Sequence, residues 1–111
     1  MTTNRPADLL PGTLDLLVLR TLVRGPMHGY GIAQRVKELS DEVLEVGESS
    51  LYPALQRLLL ESYVAAEWGT SENNRRARYY TLTPAGRRQL EVKRREFERV
   101  VTAIHAVLSL A

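Results

Sequence analysis

The chain has 111 residues, of which 44% are hydrophobic and 25% charged, an ordinary composition for one globular domain. With no cysteine it can carry no disulfide framework, thiolate metal site or thiol nucleophile, and no apolar run approaches the roughly 20 residues a membrane span needs. The net charge of +2 conceals an asymmetry: Glu38 to Glu72 holds eight acidic residues and one basic one, Arg57, while Arg75 to Arg99 holds nine basic and three acidic ones. The second stretch reads as the footprint of a basic face, rich in arginine, whose planar fork suits phosphates and guanine edges; the rival reading, the solvated face of a long helix, applies well to Arg87 to Arg99 and less well to Arg75, Arg76 and Arg78.

Residues 1–8 are polar, contain Pro6 and read as a flexible arm. They lack the basic and apolar regions of a signal peptide, which with the absence of cysteine points to the cytoplasm. Leu14, Leu17, Val18 and Leu22 form the stripe of a first helix, starting at Pro11 or Gly12 and stopped by Gly25-Pro26. Apolar on more than one side, this helix is expected to sit centrally. A second helix runs from about Gly29 to Ser40, with Ile32, Ala33, Val36 and Leu39 on its apolar face and His28 at an N-cap-like position. Residues 41–47 are acidic and read as a short strand or a loop.

A third helix spans about Ser49 to Glu61, with Ser49 or Ser50 as N-cap and Pro53 in the first turn. Leu51, Leu55, Leu58 and Leu59 share one face, leaving Ser50, Tyr52, Pro53, Gln56 and Arg57 on or near the other. The period then changes from helical to alternating. Val64, Ala66 and Trp68 lie on one side of one strand, and Arg78, Tyr80 and Leu82 on one side of the next. The intervening Gly69–Arg75 segment, GTSENNR, is rich in turn formers, so the pair reads as a hairpin with a polar tip and basic flanks. Thr83 caps a final helix that opens on Pro84 and runs to about Leu110.

This order defines a mainly helical α+β fold: a winged helix-turn-helix of three helices and a two-stranded wing, followed by a long helix. The expected division is an arm at 1–8, a winged-helix unit at 9–82 and a C-terminal helix at 83–111. A helix followed by a hairpin suits duplex DNA, the helix entering the major groove and the hairpin laying arginines along the backbone.

The segments LLPGTLDLLVLRTL (9–22), GPMHGYGIAQRV (25–36), SSLYPALQRLLLESYVAAEW (49–68) and RRARYYTLTPAGRRQL (75–90) resemble the PadR family of bacterial transcriptional regulators. The resemblance covers residues 9–95, and the single final helix is similar to that of the compact subfamily. It implies a homodimeric winged-helix protein, in most members a repressor on a palindromic operator in double-stranded DNA, and in many released by a small aromatic or drug-like effector. It places Tyr30, Ser50, Tyr52, Pro53, Arg75, Arg76 and Arg78 among the DNA-contacting positions, and the start and outer face of the third helix add Ser49, Gln56 and Arg57 as candidates. The sequence departs from the family pattern at Gly47-Glu48-Ser49, where members more often have Ser-Pro-Gly. Glu48 puts a carboxylate near the expected phosphate position, favourable to the free helix N-terminus but repulsive to DNA.

Leu90, Phe97, Ile104 and Ala111 recur every seven residues on the final helix, with Val100, Val101, Val107 and Leu108 beside them. Such a stripe needs a partner. Packing against its own first helix is one solution; a second copy of the chain is the favoured one for a helix this long, with Leu90, Phe97, Val100, Val101, Ile104, Val107 and Leu108 at the interface. Phe97 and Ile104 are the candidates to line an effector pocket, joined by Trp68 if it stacks on an aromatic ligand and not, as is commoner, on the base of the wing. No cofactor is expected, and His28 and His105 have no metal-type spacing. The lack of a nucleophile motif, glycine-rich phosphate loop or histidine pair argues against an enzyme. A winged-helix protein-interaction module that does not bind DNA is the alternative, favoured by Glu48 and the acidic middle of the chain.

Overall fold

The computed structural model describes residues 12–110. The N-terminal arm, the expected helix start at Pro11 and the stripe residue Ala111 lie outside the described residues. Helix α1 (Thr13–Thr21) continues into a short 3-10 turn (Leu22–Arg24), and is followed by strand β1 (Met27–His28), helices α2 (Gly29–Leu39) and α3 (Glu48–Leu60), strands β2 (Val64–Thr70) and β3 (Arg76–Leu82), and helix α4 (Pro84–Leu108).

Helix α1 is central, as its all-round apolar pattern requires. Leu16, Val18, Leu19 and Leu22 are buried in one core with Ile32 of α2, Leu51, Leu55 and Leu58 of α3, Val64, Tyr80 and Leu82 of the hairpin, and Leu90 of α4. Across β2 and β3 the register pairs Val64 with Leu82, Ala66 with Tyr80 and Trp68 with Arg78, so the two alternating patterns meet on one face. The near half of that face closes the core, and the far half extends beyond it.

The sheet has a third strand that the sequence pattern did not reveal. β1 pairs antiparallel with β3, Met27 opposite Tyr80 and His28 opposite Tyr79, so β3 is central and β2 is an edge. Two residues after Gly25-Pro26 are too short to show a period. Residues 41–47 form a connecting loop. It leaves α2 through Asp41 and Glu42, both with left-handed backbone, whose N–H groups bond to the carbonyls of Glu38 and Lys37 at 3.2 and 2.8 Å.

Helices α2 and α4 begin with side-chain caps. His28 Nδ1 accepts the Gly31 N–H at 3.0 Å, and Thr83 Oγ1 accepts the Gly86 N–H at 2.9 Å. Thr83 also donates to the Ser62 carbonyl at 2.7 Å, fixing α4 to the end of α3. A side chain at Gly86 would overlap the Tyr63 carbonyl, so only glycine allows this approach. Helix α3 differs from expectation. Its N-cap is Gly47, not a serine, and no side chain caps it. Starting at Glu48, the helix holds Pro53 in its second turn, so one interior backbone donor is missing.

Leu90 corrects the expected interface. It is 6% exposed and packs in its own domain's core. One face of α4 therefore changes partner along its length: the first two turns complete the winged-helix unit, past residue 83, and the stripe beyond Phe97 runs on past α1. Phe97, Val100, Ile104, Val107 and Leu108 are exposed and Val101 is half-buried. The principal extents, 56 × 36 × 22 Å, reflect this projecting helix.

Candidate nucleic-acid interface

Helix α3 buries Leu51, Ala54, Leu55 and Leu58 and turns Ser49, Ser50, Tyr52, Pro53, Gln56 and Arg57 outward. At 3.6 residues per turn, Ser49, Tyr52 and Gln56 follow one another along a single exposed strip. Tyr52 leans over the start of α2. A β-carbon at Gly29 would meet its hydroxyl at 2.7 Å, so the glycine of the His-Gly-Tyr segment makes room for this ring. Burial raises the Tyr52 phenol above its ordinary pKa, with the Glu48 carboxylate and Tyr80 adding to the rise. The phenol stays a protonated donor, and Glu48, one helical turn before Tyr52, lies on the same side of α3.

On the wing the far half of the inner face is cationic and aromatic. The Arg76 guanidinium lies over the Trp68 ring, 4.8 Å from its centroid, and that of Arg78 lies 6.0 Å from the Tyr80 centroid. Among the described residues, Arg75, Arg76 and Arg78 have no carboxylate at ion-pair distance. The tip between the strands is closed by the Ser71 N–H to Arg75 carbonyl bond at 2.7 Å, with Asn74 in the left-handed conformation that asparagine tolerates.

These two elements and α2 enclose an open hollow of about 430 Å³. Tyr30, Tyr52, Trp68 and Tyr80 supply its aromatic surface and Arg75, Arg76 and Arg78 its positive charge, with one carboxylate, Glu72, at the wing tip. Tyr30 is 69% exposed, with its ring stacked against His28 at 6.4 Å. The structure thus brings together Tyr30, Tyr52 and the three wing arginines, with Ser49, Ser50, Pro53 and Gln56 on the outward surface of α3.

Two expected site residues lie elsewhere. Arg57 faces α1, where its guanidinium is 2.9 Å from Asp15. It braces α3 against α1, a pairing 42 residues apart that no local pattern announces. Trp68 does not pack at the base of the wing; it is 58% exposed on the far half of β2. Nor does it join Phe97 and Ile104 in one pocket. Phe97 lines a separate hollow of about 250 Å³ with Gly12, Thr13, Leu16, Lys93, Glu96 and Val100. His28, read as a cap, also packs edge-on against Tyr79 at 5.4 Å, tying the start of α2 to the middle strand.

Three helices, a short β1 and a hairpin with an arginine-lined face define a winged-helix DNA-binding protein. The family model of the Transcriptional regulator PadR-like family matches residues 18–92, and the chain belongs to that family. It is a DNA-binding transcriptional regulator and not an enzyme. The fold is similar to that of a transcriptional regulator from Clostridium thermocellum, with a TM-score of 0.78 and 30% identity over 86% of this chain and 89% of that one. It is also similar to a PadR family transcription regulator from Clostridium difficile, with a TM-score of 0.74 and 28% identity over 88% of this chain and all of that one (100%). A protein of Lysinibacillus sphaericus is 27% identical over 94 residues, covering 85% of this chain and 86% of that one. Among the described residues no helix is long and apolar enough to cross a membrane.

Proposed function

We propose that the chain acts as a homodimeric cytoplasmic repressor on a palindromic operator. The observation that carries this reading is the common face formed by α3 and the wing, where three arginines with no ion-pair partner among the described residues flank an exposed helical strip. Tyr52 and Gln56 meet base edges or phosphates in the major groove, while Ser49, Ser50 and Pro53 bring the uncapped start of α3 to the backbone. Arg75, Arg76 and Arg78 clamp the flanking phosphates or minor groove, and Tyr30 adds a phosphate contact from α2. The exposed stripe Phe97, Val100, Val101, Ile104, Val107 and Leu108 pairs with its twin. The two copies of α3 then stand about one helical turn apart on DNA, roughly 34–36 Å.

An aromatic effector between the two α4 helices meets Phe97 and Ile104. By favouring another spacing of the two heads it releases DNA. Trp68 has no part in such a pocket.

The test is fluorescence anisotropy with labelled duplex from upstream of the protein's own coding region. Wild type is expected to bind at low salt, and R76A/R78A to bind that duplex and unrelated duplexes more weakly. A protein-interaction module without DNA binding is the second reading. The observation favouring it is Glu48, which puts a carboxylate in the first turn of α3, one turn before Tyr52. Absence of duplex binding by wild type at low salt selects that reading and rejects the first.

A further inference from the structure

The single tryptophan of the chain is in an unfavourable place for packing: on edge strand β2, beyond the core, and 58% exposed. What it touches is an arginine. In register Trp68 stands opposite Arg78, and Arg76 is the diagonal neighbour on the same face. The Arg76 guanidinium lies 4.8 Å from the Trp68 ring centroid, within cation–π range, and among the described residues no carboxylate competes for it.

An arginine on an exposed wing samples many rotamers, and ordering it on DNA costs conformational entropy. A ring beneath the guanidinium reduces that cost before DNA arrives. A guanidinium held by its π-face keeps its N–H edges free to bond phosphates and base edges. The Arg78–Tyr80 pair repeats the arrangement at 6.0 Å, but Tyr80 is 5% exposed and serves the core as well. Trp68 has no such second duty.

We propose that Trp68 is a positioning residue for DNA binding: it acts through Arg76, holding the guanidinium against the wing in its DNA-contacting orientation, and does not itself touch DNA. This rests on the reading of the wing as a DNA clamp.

The test is a double-mutant cycle with W68A, R76A and W68A/R76A, plus W68F, read by duplex anisotropy and intrinsic fluorescence. In free protein, R76A is expected to change the indole emission, because it removes the cation over the ring; unchanged emission would overturn the cation–π pair and the proposal, whatever DNA does. In binding, W68A is expected to weaken affinity roughly three- to tenfold with its melting temperature near that of wild type. W68F should recover most of that loss, and W68A should have little effect once Arg76 is absent. An equal loss from W68A with and without Arg76 would mean that the ring touches DNA directly and would overturn the proposal. So would wild-type affinity in W68A, or a loss in W68A that W68F does not recover. Failure of wild type to bind any duplex would overturn the DNA clamp reading and this proposal together; a loss in R76A with none in W68A would overturn this proposal alone.

Discussion

Glu48 is the residue at which the chain departs most from a DNA-binding surface. It opens α3, where a carboxylate complements the positive end of the helix dipole, and its charge reaches Tyr52 on the exposed side. In the free protein it is favourable; against a phosphate it is repulsive. The Glu48→Gln variant is therefore expected to bind duplex roughly threefold or more tightly at low salt, the gain shrinking as salt screens the charge. Unchanged or weaker binding would show that the side chain points away from DNA. The identity of this residue and its place at the start of α3 were legible in the sequence. That it acts on Tyr52, and that Gly47 rather than a serine caps the helix, required the fold. Two adjacent serines are each good N-caps, and only the path of the preceding loop decides that neither is used.

At the scale of elements, the junction from α3 to β2 shows a local conflict resolved by tertiary packing. The Ser62 and Tyr63 N–H groups bond to the Leu59 and Leu58 carbonyls at 3.0 and 2.9 Å, the pattern of a helix ended by a left-handed residue. That residue is Ser62, with φ of 63°, where glycine is the usual occupant. Its carbonyl is held by Thr83, which keeps the strained residue in place. The Ser62→Gly variant removes the side-chain clash and keeps both backbone bonds. It is expected to stabilise the protein by about 0.5–1 kcal/mol and raise the Tm by a few degrees. A lowered Tm would mean that Ser62 contributes more as a side chain than it costs as a left-handed residue. Elements were the most legible level of this sequence, because alternation fixes the face of each wing strand and Thr83-Pro84 marks the start of α4 in full. β1 escaped because its pairing with β3 spans a long stretch of chain, from Met27 to Tyr80, and leaves no periodic trace.

At the scale of the whole molecule the question is what covers the second half of α4. The heptad stripe read from the sequence is real on the helix, but its first member is not available to a partner. Leu90 meets its own core, and Lys93, Phe97 and Val100 lie beside the start of α1. Beyond them the described residues offer no further surface, and Ile104, Val107 and Leu108 are bare. No sequence period distinguishes an intramolecular from an intermolecular partner, so the heptad alone cannot separate Leu90, in its own core, from the bare residues beyond it. Ile104→Glu places a charge where two copies would exclude water. It is expected to give monomers in sedimentation equilibrium at micromolar concentration, and Val92→Glu, an exposed change outside the stripe, to leave the dimer intact. If Ile104→Glu stays dimeric, the stripe is not the interface.

The central claim is that the wing is an electrostatic clamp on duplex DNA. Arg57, occupied by Asp15, and Arg94, paired with Glu91 and Glu98, contribute to the charge balance without belonging to that face. The most direct measurement is the slope of log affinity against log salt for wild type and R76A/R78A on the same operator duplex. The account predicts a steep dependence in wild type, flattened in the variant by roughly one for each phosphate that it no longer neutralises. Equal slopes in the two proteins, or no measurable duplex binding by wild type at low salt, would contradict it.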